Sequence, residues 1–277
     1  MSAARKTRLD LLLVERRLAP SRSKAAAMIM AGEVTVGAQL VDKPGTAVAV
    51  EADIALKEKA KYVGRGGLKL EAALNAFAVN AAGKVCADIG ASTGGFTDCL
   101  LQRGAAKVYA IDVGRAQLDY RLRNDKRVAN LENTNARYLE TLDEAVEIVV
   151  IDVSFISLRL ILPAVARIVG EPADVIALVK PQFEAGRASV GKGGIVRDAA
   201  VHRRVLNDVA AWAVSLGLAP VDLIRSPITG AKGNVEYLLW LQQGAGTRPP
   251  RGIHERIDEL TTSKSIASPT PKASDAS

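Results

Sequence analysis

Seven apolar runs alternate with helix-like stretches over residues 84–241, and this alternation constrains the fold more than any other feature of the chain. The runs are Lys84–Ile89, Lys107–Asp112, Val128–Glu132, Glu147–Val153, Asp174–Lys180, Pro220–Ile224 and Val235–Leu241. Between them, stretches such as Phe96–Gln102 and Val201–Leu216 carry helical spacing. Strand–helix alternation of this kind predicts an open α/β sheet, mainly parallel. Such sheets bind ligands outside the carboxyl ends of their strands. The polar residues closing the apolar runs are therefore the first candidates for a site.

The first run closes in Asp88-Ile89-Gly90-Ala91-Ser92-Thr93-Gly94-Gly95 and leads into a helix near Phe96. Glycines let a backbone approach a ligand closely and adopt positive φ. The spacing is neither the Gly-x-Gly-x-x-Gly dinucleotide pattern nor a phosphate loop, since no Gly-Lys-Ser/Thr follows. Asp88, Gly90, Ser92, Thr93, Gly94, Gly95 and Phe96 are the candidate cofactor residues here. Asp112, closing the second run, can accept hydrogen bonds from both ribose hydroxyls of an adenosine cofactor; the alternative is an ordinary surface acid. Asn135, after the third run, could read an adenine edge or simply stabilise its turn.

Asp152 closes the fourth run and Lys180 the fifth, which predicts that both face the same cleft. A lysine closing an apolar strand needs a partner or a role, because a buried unpaired charge is expensive. The alternative is a structural Asp152–Lys180 ion pair. Glu236 begins the last run and joins them only if that strand is antiparallel; Lys69, in the helix before the sheet, could lean in from the side. The Gly-rich segment 182–198, with Arg187, Lys192 and Arg197, reads as a mobile lid contacting RNA or as a plain surface loop.

Ahead of the sheet, residues 1–60 read as two short helices and then a few short strands. Leu9, Leu12 and Leu13 lie in the first helix, and Ser21 or Ser23 caps the second, which stops at Gly32. Val34, Val36, Leu40-Val41, Val48 and Val50 mark the strands. Net charge is +7, and residues 1–24 hold most of it: Arg5, Lys6, Arg8, Arg16, Arg17, Arg22 and Lys24 stand against Asp10 and Glu15. A surplus of five in one short unit points to a phosphate-binding face. Arg65, in the basic Gly-rich connector 61–67, joins these as a candidate RNA contact.

The remaining composition narrows the class. Cys86 and Cys99 sit among apolar residues and read as buried free thiols, in keeping with a reducing cytoplasm. His202 and His254 are far apart in sequence, so no metal site is expected. No apolar run reaches the ~20 residues that span a bilayer. The expected division is 1–60, the linker 61–67, a main domain at 68–243 and a largely disordered tail at 244–277. One helical stretch falls near Ile253–Leu260.

Six blocks of this sequence carry a family resemblance. They are Tyr62–Leu70, Asp88–Phe96, Asn133–Arg137, Asp152–Leu158, Lys180–Glu184 and Gly233–Tyr237. Over about residues 7–242 the chain resembles the TlyA family of ribosomal RNA 2′-O-methyltransferases, historically also called hemolysins. The resemblance implies an S4-like (alpha-L) α+β RNA-binding domain in front. Behind it, an FtsJ/RrmJ-type Rossmann-like α/β methyltransferase domain of seven strands is implied, the last one antiparallel. S-adenosyl-L-methionine is the implied cofactor, and ribosomal RNA or ribosomal subunits the implied partner. The family's Lys-Asp-Lys-Glu tetrad falls on Lys69, Asp152, Lys180 and Glu236, with Lys180 nearest the target 2′-hydroxyl as base or polarising donor. Family members act on cytidines of 23S rRNA, some also on 16S rRNA. The competing classes are a non-catalytic RNA-binding factor and a membrane-lytic protein.

Overall fold

The computed structural model describes residues 5–57, 60–244 and 252–262. The chain divides into two compact units, Met1–Ala60 and Lys61–Ser277.

In the first unit, strand β1 (Lys6–Arg8) runs into helix α1 (Leu9–Glu15), followed by α2 (Arg22–Met30). Four short strands follow: β2 (Val34–Val36), β3 (Gln39–Leu40), β4 (Ala47–Ala49) and β5 (Ile54–Leu56). The Ser21 hydroxyl accepts from the Lys24 amide at 3.3 Å and starts α2, as its sequence position predicts. Gly32, at φ +68°, ends it. β2 pairs antiparallel with both β3 and β5, while β1 pairs with β4. β1 and β5 are not evident in the sequence: β1 carries charged residues at both ends, and β5 is three residues with no β-branched alternation around Ala55. Leu9, Leu12, Leu13, Ala25, Ile29 and Val34 form the core of this unit. Asp10, also buried, accepts from Arg8 Nε and Nη2 and from Arg22 Nε at 2.9–3.0 Å. These guanidinium bonds hold its carboxyl well below the usual carboxylate range.

The second unit opens with α3 (Gly66–Phe77), then β6 (Val85–Ile89), α4 (Gly95–Gln102), β7 (Lys107–Ile111), α5 (Tyr120–Arg123) and β8 (Val128–Leu131). It continues through β9 (Val146–Ile151), α6 (Leu162–Ile168), β10 (Val169–Val179), α7 (Pro181–Glu184), α8 (Ala199–Ser215), β11 (Ala219–Arg225), β12 (Tyr237–Gln243) and α9 (Ile253–Leu260). The seven long strands form one sheet in the order β11-β12-β10-β9-β6-β7-β8. β12 is antiparallel to both neighbours and the remaining pairs are parallel. The Rossmann-like sheet implied by the family resemblance, with its last strand antiparallel, is the one observed.

Strand alternation splits the core between the two faces. Ile148 and Val150 of β9, with Ile176 and Leu178 of β10, pack with Leu70, Leu74 and Leu100 from α3 and α4. Val149, Ile151, Val175 and Ala177 face Val165, Leu206 and Val209 from α6 and α8. Burial on both faces explains why these strands read as unbroken apolar runs. Cys86 and Cys99 are buried free thiols.

The segment expected as a tail contains α9, whose Ile257 is fully buried in the second of these clusters. Arg256 Nε donates to the Leu223 carbonyl of β11 at 3.0 Å. The rest of the expected tail, 245–251 and 263–277, lies outside the described residues. No helix among the described residues is long and apolar enough to cross a membrane.

Candidate active site

Sheet direction brings the predicted polar residues to one edge. Asp88 is the penultimate residue of β6, Asp152 follows β9 and Lys180 follows β10. Because β12 is antiparallel, Glu236 at its start reaches the same edge. A cavity of about 440 Å³ opens there, with Lys69, Asp88, Asp152, Lys180 and Glu236 in its wall. Gly90, Ser92, Thr93, Gly95, Phe96 and Arg65 line it too. Asp112 and Asn135 line an adjoining cavity of about 350 Å³, which has Ile111, Val113, Ile156 and Ile161 as its apolar wall. The two cavities share Gly90, Ser92, Asp152, Ser154 and Phe155. Gly94 lines neither; at φ +95° it turns the loop beneath Leu122, where an added Cβ would meet a methyl group at 2.2 Å.

The four tetrad residues form two ion pairs. Lys180 Nζ lies 2.6 Å from Asp152 Oδ1 in an ion pair, and Lys69 Nζ donates to Glu236 Oε2 at 2.5 Å. Asp152–Lys180 pairing, set as the structural alternative to a catalytic role, is thus present in the same wall as the second pair. Lys69, Lys180 and Glu236 are buried, which their mutual neutralisation allows. Lys180 Nζ also donates to Ser154 Oγ at 2.8 Å, and Gln182 Nε2 reaches Glu236 Oε1 at 3.5 Å. Gly230 makes room for Glu236, since an added Cβ would sit 1.9 Å from Oε1.

The Gly90–Gly95 loop is tied down by carboxylates. Asp112 accepts from the Ser92 amide at 2.8 Å and the Gly114 amide at 2.7 Å, so it joins the loop to the end of β7. Asn135 Oδ1 accepts from the Arg137 amide at 3.1 Å, the turn-stabilising bond weighed for it from sequence. Gly90, at φ +86°, lies so close to the β9 end that a Cβ would meet the Asp152 carbonyl at 2.5 Å. Asp88 Oδ2 accepts from the Thr97 amide and hydroxyl at 2.9 and 2.7 Å. Its Oδ1 is buried with no hydrogen-bond partner among the described residues. Burial first, with the Asp152 and Asp112 charges adding, pushes this carboxyl up to about 7. A cationic group in the cavity is what would satisfy it. With a carboxylate at each end and an apolar slot between, the residues present fit an adenosine cofactor that carries an ammonium.

Three features escaped the sequence reading. Ser154 bonds Lys180. Phe155 is 90% exposed at φ +64°, with its ring 5.0 Å from Phe183 at the cavity. Thr97 anchors Asp88. Ser154 and Phe155 stand inside the matched block Asp152–Leu158, but nothing in their residue types marks them apart. The segment 182–198, expected as a mobile lid, is tethered at both ends. Glu184 accepts from Ser157 Oγ and the Leu158 amide at 2.6 and 2.8 Å. Asn234 accepts from the Val196 amide at 3.3 Å and donates to the Gly194 carbonyl at 3.0 Å. His202 Nε2 reaches the Val196 carbonyl at 2.9 Å.

The expected RNA contacts in the first unit divide. Arg8 and Arg22 are engaged by Asp10, and Arg16 donates to the Ala52 and Val50 carbonyls. Arg5, Lys6, Arg17 and Lys24 are exposed and make no ion pair among the described residues.

Residues 62–243 match the FtsJ-like methyltransferase family model and residues 7–54 the S4 domain model. The 16S/23S rRNA (cytidine-2′-O)-methyltransferase TlyA of Mycobacterium tuberculosis is 48% identical over 243 residues, 86% of this chain and 91% of that protein. The 23S rRNA (cytidine-2′-O)-methyltransferase TlyA of Campylobacter jejuni is 36% identical over 180 residues, 65% of this chain and 70% of that protein. A solved structure of a candidate hemolysin from Streptococcus thermophilus superposes with a TM-score of 0.70 at 44% identity, covering 95% of this chain and 98% of that one. With an S4 domain ahead of a seven-stranded catalytic sheet, the chain belongs to the FtsJ-like methyltransferase family, in the branch that includes TlyA.

Proposed function

We propose that this chain methylates a ribose 2′-hydroxyl of a cytidine in ribosomal RNA, using S-adenosyl-L-methionine. The observation that carries the reading is the pair of lysine–carboxylate bonds, Lys180–Asp152 and Lys69–Glu236, in the wall of one cavity at the carboxyl edge. S-adenosylmethionine supplies an electrophilic methyl group on a sulfonium. Asp88 holds its ammonium, Asp112 its ribose hydroxyls, and the Gly90–Gly95 backbone its amino-acid portion, with Asn135 at the adenine edge.

A ribose hydroxyl is a poor nucleophile until its proton is removed or polarised. The Lys180 ammonium, paired with Asp152, donates an N–H to the 2′-oxygen and stabilises the negative charge that develops there as the hydroxyl proton leaves to water. Lys69 and Glu236 fix the facing wall. Arg5, Lys6, Arg17, Lys24 and Arg65 contact RNA phosphates, while Arg8, Arg16 and Arg22 hold the first unit together. The natural acceptor is a ribosomal subunit in the cytoplasm. 23S rRNA is common to both rRNA methyltransferases compared above and is the first acceptor to assay, with 16S rRNA second.

The test is transfer of labelled methyl from S-adenosylmethionine to each ribosomal subunit, followed by mapping of 2′-O-methylcytidine. Lys180→Ala is expected to abolish transfer and leave calorimetric cofactor binding largely intact. No transfer by the unaltered protein would leave a non-catalytic RNA-binding role. Near-normal turnover in Lys180→Ala would remove that lysine from the mechanism. The hemolysin name borne by the Streptococcus relative adds one control, lysis of protein-free liposomes, for which no lysis is expected.

A further inference from the structure

We infer that Ser154 is a positioning residue for methyl transfer: its hydroxyl, together with Asp152, orients the Lys180 ammonium so that one N–H is left to face the target ribose. The inference rests on the 2′-O-methylation reading above and assigns a duty to a side chain outside the tetrad.

A lysine ammonium carries three N–H donors on a flexible four-carbon stem. One carboxylate partner fixes the position of such a group but leaves it free to swivel about that bond. Lys180 has a second partner: besides Asp152 Oδ1 at 2.6 Å, Ser154 Oγ lies 2.8 Å from Nζ. An ion-pair partner and a hydrogen-bond acceptor on two separate side chains set the rotation of the ammonium as well as its place. The third N–H has no acceptor among the described residues, and the Phe183 ring stands 5.8 Å from Nζ. Ser154 is exposed and belongs to the wall shared by the two cavities, so its bond to Lys180 spans the boundary between them. It lies only two residues beyond Asp152 in the segment that follows β9, so both partners of Lys180 come from one short stretch of chain. A hydroxyl in this position neutralises nothing and buries little; pointing the ammonium is the function its geometry serves.

The test uses the full-length protein with ribosomal subunits. Ser154→Ala should lower kcat about 10-fold or more, the worth of one hydrogen bond to a charged group. KM for the subunit, cofactor affinity and Tm should stay within about 2-fold or 2 °C of the unaltered protein. Ser154→Thr, which keeps the hydroxyl, should return kcat to within about 3-fold. In cofactor-free protein labelled on lysine, the Lys180 ammonium protons should exchange with water faster in Ser154→Ala. An unchanged kcat, a loss confined to KM, or unchanged ammonium exchange would each overturn the assignment. If the unaltered protein itself transfers no methyl to either subunit, the functional reading fails instead, and the exchange measurement still decides whether Ser154 orients Lys180.

Discussion

Asp88 is a side chain held against its own solvation. It is fully buried, Thr97 satisfies only Oδ2, and its carboxyl is pushed up to about 7. A carboxyl whose folded pKa exceeds its unfolded value near 3.9 binds its proton more tightly in the folded protein. Stability from this group is therefore fully present below about pH 4 and falls as pH rises through 7. The span corresponds to an effect on the order of 4 kcal/mol. Asp88→Asn keeps an acceptor for Thr97 and cannot ionise. Its cofactor-free melting temperature should exceed that of the unaltered protein at pH 8 and depend less on pH between 5 and 8. Calorimetry should show weaker binding of S-adenosylmethionine by the same variant. Superimposable melting profiles would mean that Asp88 does not titrate in this range. On the function proposed above, this carboxylate meets the cofactor's ammonium, and its burial is a cost to the empty fold.

At the scale of elements, legibility followed burial. β9 and β10 are covered on both faces and stand out as apolar runs, and their closing residues, Asp152 and Lys180, could be placed at the site from strand direction alone. Glu236 needed the antiparallel course of β12, which the run itself does not reveal; the family resemblance supplied it. Short or polar elements stayed hidden. β1 is Lys6–Arg8, whose charged ends mask a strand, and α5 has only four residues. Phe155 reads as core by residue type, yet its left-handed backbone turns the ring outward. The tethers of segment 182–198 were equally invisible, because they depend on Asn234, about 40 residues away. Asn234→Ala would leave the Val196 amide without its acceptor and the Gly194 carbonyl without that donor. Such losses typically cost about 1–3 kcal/mol each when buried. The expected result is local opening, read as faster trypsin cleavage at Lys192 and Arg197 with the global melting temperature lowered by only a few degrees. Cleavage at the unaltered rate would show that His202 and the loop's own turn suffice to hold it.

Across the whole molecule, the charge of +7 separates into cations with structural work and cations without it. In the methyltransferase unit, Arg121, Arg123 and Arg127 near the β8 edge pair with Asp119, Glu132 and Asp125. In the S4 unit, Asp10 takes up Arg8 and Arg22, leaving Arg5, Lys6, Arg17 and Lys24 unpaired among the described residues. Phosphate contacts release counterions, so each one steepens the fall of affinity with salt by a little under one unit of log–log slope. Replacing Arg5, Lys6, Arg17 and Lys24 together with Ala should flatten the salt dependence of ribosomal-subunit binding by about 3 units and leave Tm nearly unchanged. Replacing Arg8 and Arg22 should act the other way round. Asp10 would then be a buried carboxylate without a partner, so Tm should fall, and the salt slope measured on the folded fraction should move little. Binding titrations between about 50 and 200 mM salt, with melts of the same proteins, separate the two groups. A slope unchanged by the fourfold replacement would mean that RNA is held by other cations, and the candidates would then be Arg65 and the exposed Arg187, Lys192 and Arg197 of the tethered segment.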